Sequence, residues 1–151
     1  MIRPATPADL PQLHRLICDL AAHHGDAATV TQDTLQRDLF AAAPWLHVLV
    51  AEGPQNLQGY TALTQLARLQ YGQRGMDLHH LFVCAQARRA GLGKALLAAS
   101  VALARANACS YLTVSALPGN AAAHGFYLAQ GFKPAPISGL RFAVDLGLDD
   151  P

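Results

Sequence analysis

Arg88-Arg89-Ala90-Gly91-Leu92-Gly93-Lys94 gathers in one short stretch the groups that hold a diphosphate. The apolar run Leu81-Phe82-Val83 leads toward it, and Leu92, Leu96, Ala99 and Leu103 recur behind it on one helical stripe, so the segment reads as strand, turn and helix. Gly91 and Gly93 let a ligand come close to the backbone. The N–H groups of the helix's first turn point outward, with the positive end of the helix dipole behind them. Arg88, Arg89 and Lys94 add cations that would give phosphate oxygens charge-assisted hydrogen bonds. A nucleoside-triphosphate loop needs Gly where Arg88 stands and Ser or Thr where Ala95 stands, and a dinucleotide turn needs Gly at Leu96. ATP, GTP, NAD and FAD are therefore disfavoured. The turn alone also leaves open that its two glycines serve only tight strand-to-helix packing.

The elements that would position this turn fit one domain over residues 1–151, long enough for a large core. A hydrophobic share of 52% against 14% charged residues excludes disorder on composition. A net charge of +1 offers no general attraction to nucleic acid or to an anionic membrane. No apolar stretch approaches the ~20 residues needed to span a bilayer, and Met1-Ile2-Arg3-Pro4 lacks a signal-peptide layout, so a soluble cytoplasmic protein is expected. Cys18, Cys84 and Cys109 are widely spaced without a C-x-x-C pair and read as small buried residues rather than disulfides or zinc ligands.

Along the chain, Ile2 to Ala5 reads as a strand. Thr6-Pro7 opens a helix ending near His24-Gly25, and Thr31 opens a second helix that stops before Pro44. His47 to Ala51 and Gly59 to Leu69 form a hairpin, the pattern breaks over Gln70 to Gly75, and Met76 to Val83 is a third strand. The helix from Gly91 to Ala106 follows, then a strand at Tyr111 to Val114 and a helix from Asn120 to Gln130 stopped by Gly131. Phe132 and Leu140 to Leu146 are expected to form two closing strands. The order is β-α-α-β-β-β-α-β-α-β-β, a mixed α/β fold with a mostly antiparallel sheet flanked by helices.

Arg88-Arg89-Ala90-Gly91-Leu92-Gly93 resembles the R/Q-x-x-G-x-G/A signature of the GNAT superfamily of N-acetyltransferases. Asn120-Ala121-Ala122-Ala123-His124-Gly125-Phe126-Tyr127-Leu128-Ala129-Gln130-Gly131-Phe132 resembles that superfamily's second motif, N-x-x-A-x-x-F-Y-x-x-x-G-F. The element order is similar over nearly the whole chain. Leu16-Ile17-Cys18-Asp19-Leu20-Ala21, the hairpin and Leu81-Phe82-Val83 look most like the diamine and thialysine acetyltransferase branch.

The resemblance implies acetyl-CoA as co-substrate, without a metal, and a small-molecule amine as acceptor. A homodimer is expected because many relatives form one. It further implies that Leu81, Phe82 and Val83 pair with the pantetheine arm along an open strand edge, where its amides want β-type partners. Arg89 to Lys94, that is Arg89, Ala90, Gly91, Leu92, Gly93 and Lys94, would hold the pyrophosphate with Arg88 beside them. Asn120 and Ala123 would touch the cofactor from the next helix, and Tyr127 would protonate the departing thiolate. A phenol with a pKa of about 10 can protonate a thiolate of about 8.5.

The sequence departs from the branch at the general base, where Leu-Glu-Asp is replaced by Leu78-His79-His80. Histidine, with an unperturbed pKa of about 6.5, can accept an amine's proton at neutral pH. Strand alternation puts His79 and His80 on opposite faces, so one at most can face the acetyl group, and His79 aligns with the Glu. Both being half-buried strand histidines with structural bonds is the other reading. Glu52 and Asp77 are the nearest carboxylates for a polycation, which weakens a polyamine acceptor; His23, His24, His79 and His80 match no metal-ligand spacing. An acyl-CoA-binding module that kept the cradle and lost its chemistry, and a nucleotide-binding α/β domain, are the alternative functions.

Overall fold

The computed structural model of the chain describes residues 1–136 and 139–147, and the main chain gathers into two compact units, Met1–Ser115 and Ala116–Pro151. The first unit opens on strand β1 (Ile2–Pro4), whose Arg3 donates to the two Asp9 carboxylate oxygens at 2.7 and 2.9 Å and to Glu52 at 3.0 Å. Asp9 also accepts from the Thr6 N–H at 2.7 Å and from its hydroxyl at 3.1 Å, which fixes the entry into helix α1 (Leu10–His23) through a 3-10 turn at Pro7–Asp9. The Arg3 hydrogen bond holds the Asp9 carboxyl at about 2, below the usual carboxylate range. Helix α2 (Gln32–Phe40) starts on a reciprocal cap in which Thr31 accepts from the Thr34 N–H and Thr34 accepts from the Thr31 N–H, each at 3.1 Å.

Five strands follow one another in space as β1-β2-β3-β4-β5, with β2 at His47–Glu52, β3 at Leu57–Arg68, β4 at Gln73–Val83 and β5 at Tyr111–Val114. All neighbours are antiparallel except β4 and β5, which are joined through helix α3 (Leu92–Ala106) and run parallel. On one face α1 and α2 bury Leu13, Leu16, Leu35 and Leu39 against Val50, Tyr60 and Phe82. On the other face α3 buries Leu96, Leu97 and Ser100. The β3–β4 hairpin is longer than its sequence suggests. Gln73, Arg74 and Gly75 pair with Arg68, Ala67 and Leu66, so β4 begins at Gln73 rather than Met76, because exposed polar residues still complete a ladder whose turn is closed by Leu69–Tyr71.

Between α3 and β3, the hydroxyls of Ser100 and Thr61 are hydrogen-bonded at 3.0 Å and Ser100 donates to the Leu96 carbonyl at 2.9 Å, both side chains being fully buried. Ser100→Ala removes the partner of a buried hydroxyl. It should lower unfolding stability by about 1–3 kcal/mol, measured by urea denaturation, whereas an effect below ~0.5 kcal/mol would show that Thr61 finds another acceptor.

In the second unit, helix α4 (Ala121–Ala129) is capped by Asn120, whose side chain accepts from the Ala123 N–H at 3.1 Å. Its other end closes as a Schellman motif. The Phe132 N–H donates to the Tyr127 carbonyl at 3.0 Å and the Gly131 N–H to Leu128 at 3.1 Å, with Gly131 at φ 90°, a conformation open to glycine. This corrects one expected strand: Phe132 is the residue that closes a helix end. The second expected closing strand, Leu140 to Leu146, forms no ladder among the described residues. Its alternating Leu140, Phe142, Val144 and Leu146 are exposed, because a period of two gives strand character only where an edge accepts it. The order among the described residues is therefore β-α-α-β-β-β-α-β-α.

Candidate active site

The glycine turn has the form expected of an anion cradle. After Val83 the chain makes a 3-10 turn at Ala85–Ala87, Arg89 takes φ 68°, and Gly91 takes φ 78° as the N-cap of α3. No side chain caps this helix, and the first bond into it is from the Ala95 N–H to the Gly91 carbonyl at 3.1 Å. The preceding N–H groups of its first turn are thus left for a ligand. Arg89, Ala90, Gly91 and Lys94 are exposed, and Leu92 and Gly93 half-buried. Arg88 is placed differently from its neighbours: its Nε donates to the Val83 carbonyl at 3.0 Å and its guanidinium lies 5.8 Å from the Phe82 ring centroid, so it braces the strand end as well as offering charge.

Among the described residues, the β4 edge expected to receive pantetheine has no strand partner past Leu78. Pairing with β5 runs from Gly75 with Tyr111 to Leu78 with Val114 and stops there, while Leu81, Phe82 and Val83 pair only with Thr61, Tyr60 and Gly59 of β3. Among the described residues this stretch has no strand on its other side, and apart from the Val83 carbonyl that accepts from Arg88 it suits an extended ligand with two amides. Strand and turn together fit coenzyme A, and these residues would hold it.

At the start of this open stretch the structure corrects the alternation argument. Ala62 pairs with His80 but Leu63 with Leu78, so His79 is the extra residue of a β-bulge. The bulge breaks the two-residue period, and the His79 and His80 rings stack with centroids 4.4 Å apart and planes 13° apart instead of pointing to opposite faces. Tyr60 Oη and His80 Nδ1 are hydrogen-bonded at 2.9 Å. Burial, then the nearby His79 and His24, lower the His80 imidazole to about 4. Burial raises the Tyr60 phenol beyond its usual range, with Cys18 adding to it.

A half-buried imidazole held neutral gives folding a pH dependence of definite sign. Between pH ~6.5 and ~4 the unfolded chain binds a proton at His80 that the folded chain refuses, so this stability is complete above ~6.5 and is lost as pH falls toward ~4. Allowing for solvent screening of a partly exposed ring, the wild type should lose about 1 kcal/mol more than His80→Gln in urea titrations between pH 7 and 4.5. Equal losses in the two proteins would mean that His80 takes up its proton readily in the folded state.

The two carboxylates considered for a polycation are both engaged, Glu52 by Arg3 at 3.0 Å and Asp77 by the Thr113 hydroxyl at 2.6 Å. Tyr127 lies in the second unit, half-buried between Phe126 at 5.2 Å and Phe132 at 5.6 Å between ring centroids, and burial raises its phenol. Asn120 and Ala123, expected to touch a cofactor, are bonded to each other as the α4 cap. Tyr60 was invisible to spacing: only the β3–β4 register brings it to His80. Cys18, Cys84 and Cys109 are free and half-buried rather than fully buried. Among the described residues no group of three or more His, Cys, Asp or Glu is placed to hold a metal ion, and no helix is long and apolar enough to cross a membrane.

A sheet whose β4–β5 pairing ends beside an uncapped glycine turn is an arrangement that would suit an acyl-CoA-dependent acetyltransferase. The sequence model of the acetyltransferase (GNAT) family matches residues 13–132, so the chain belongs to that family and is an N-acetyltransferase, of a kind that uses acetyl-CoA as co-substrate. Thialysine N-epsilon-acetyltransferase of Bos taurus is 29% identical over 140 residues, covering 87% of this chain and 82% of that protein. Among solved structures, a probable acetyltransferase superposes with a TM-score of 0.84 at 20% identity, over 96% of this chain and 98% of the other. An aminoglycoside acetyltransferase from an uncultured soil metagenomic sample superposes with a TM-score of 0.77 at 22% identity, over 97% and 95%.

Proposed function

We propose that residues 1–151 form one N-acetyltransferase domain that moves the acetyl group of acetyl-CoA directly to a primary amine of a small molecule in a ternary complex. The observation that carries this reading is the continuity of the open β4 edge past Leu78 with the uncapped N-terminus of α3. Main-chain groups of Leu81, Phe82 and Val83 bind the amide-bearing arm. The N–H groups and cations from Arg88 through Lys94 neutralise the pyrophosphate, and Asn120 and Ala123 support the cofactor from α4. His79 or His80 takes the proton of the attacking amine, and Tyr127 returns one to the departing thiolate. No covalent enzyme intermediate is required, so no cysteine need act as a nucleophile, and loss of turnover in Cys84→Ala with acetyl-CoA binding intact would replace this mechanism.

A polycationic acceptor is not favoured, since Glu52 and Asp77 are already engaged and histidines line the bulge. The acceptor is instead a primary amine on a small molecule of low positive charge. Thiol release from acetyl-CoA, measured against a panel of amino acids, aminoglycosides and polyamines, tests this. Release with a monoamine supports it, preference for polyamines revises the acceptor, and silence with every amine leaves an acyl-CoA-binding module.

A further inference from the structure

We infer that Tyr60 is a positioning residue that locks His80 as a neutral imidazole carrying its proton on Nε2, so that proton acceptance from the amine falls to His79, which stacks on His80. This rests on the acetyl-transfer reading and assigns a choice that reading leaves open.

The direction of the 2.9 Å bond follows from burial. Tyr60 is fully buried in the α1–α2 face of the core, so its phenol keeps its proton and that proton needs an acceptor. Its hydrogen-bond partner is His80 Nδ1, which accepts only when it carries no hydrogen. Were Nδ1–H to donate instead, the buried Tyr60 O–H would be left without an acceptor among the described residues. A charged imidazolium would fail in the same way, since both of its nitrogens are donors.

The surroundings point the same way. His79 from β4 and His24 beyond the end of α1 both disfavour a positive charge on His80, and burial, with Cys18 of α1 adding to it, keeps the Tyr60 phenol protonated. The proton of the neutral ring therefore sits on Nε2, where it can donate to a ligand but cannot take a proton from one. His79 is the bulged residue and exposed, and its ring is held against the His80 plane at 4.4 Å and 13°. Tyr60 thus acts on His79 through His80, by fixing the tautomer and plane of the ring on which His79 rests.

Nitrogen NMR of the uniformly labelled full chain, with His80 assigned by its loss in His80→Gln, reads the tautomer directly. The wild type at pH 7 should show His80 as a single neutral form protonated at Nε2, and Tyr60→Phe should convert it to a tautomer mixture. A His80 protonated at Nδ1, or one that titrates above pH 6 in the wild type, overturns the lock. Kinetics tests the consequence. His79→Gln should lower kcat/KM for thiol release by about 10²-fold or more and abolish the acid limb of its pH profile, a general base being worth about 10²–10⁴-fold. His80→Gln, whose amide keeps a donor near the Nε2 position, should lose less than about tenfold and keep that limb. The reverse ranking overturns the assignment to His79. No thiol release by the wild type with any amine would sink the transfer reading and the role of His79 with it, while the NMR result would still uphold or overturn the lock.

Discussion

Tyr127→Phe is expected to lower kcat for amine-dependent thiol release by about 10²- to 10³-fold while changing acetyl-CoA affinity less than about twofold, a well-placed general acid being worth 10²–10⁴-fold. The substitution removes only the hydroxyl. The ring keeps its contacts with Phe126 and Phe132, and the Schellman bond that orients this turn comes from the Phe132 N–H to the Tyr127 main-chain carbonyl, which no side-chain change touches. Burial raises the phenol, so Tyr127 is protonated at neutral pH and, in the proposed role of acid, has a proton to give. A thiolate leaving without that proton must await water. The effect should therefore be largest for the poorest amine nucleophiles, where departure of the thiolate limits turnover. Steady-state kinetics with acetyl-CoA, beside calorimetric binding of CoA, separates the two parameters. Unchanged kcat would remove Tyr127 from the chemistry and leave it as an aromatic of the second unit.

Local signals account for much of what the sequence discloses. Thr6, Thr31 and Asn120 announce helix starts through side chains that bond within three residues, and Gly131 announces a helix end at equally short range, although Phe132 after it reads as a strand. The glycine turn is legible for the same reason, since Gly91 and the lack of a capping side chain are properties of a few consecutive residues. What depends on pairing between distant segments is not legible. The bulge at His79 exists only because Ala62 and Leu63 take His80 and Leu78 as partners, and it reverses an inference that strict alternation makes look secure. Tyr60 reaches His80 by that same register, and Arg88 turns back to Val83 instead of lying wholly with the phosphate-binding groups. The strand-like alternation of Leu140 to Leu146 misleads in the opposite direction: periodicity states which face could be buried, and a ladder requires an edge besides.

The second large effect is expected at the turn itself, where Gly91→Val should weaken acetyl-CoA binding by about 10- to 100-fold and raise its KM in parallel. Gly91 takes φ 78°, and a Cβ built there would meet nothing within 4 Å, so the cost arises from the backbone and not from a clash. A β-branched residue in the left-handed region costs about 1–3 kcal/mol. The turn can bear that strain or relax to negative φ, and relaxation swings the N–H groups at the start of α3 away from a common anion. The site is exposed and contributes no buried core, so the backbone cost alone should lower the melting temperature, by about 2–12 °C for a chain of this size. Gly91→Asn supplies the control. Asn also adds a Cβ and is larger than Gly, yet it tolerates the left-handed conformation, so it should recover most of the lost affinity if backbone shape is what the cofactor reads. If Asn binds as poorly as Val, it is space beside the turn that matters. If Val binds as well as Gly, the pyrophosphate is held elsewhere.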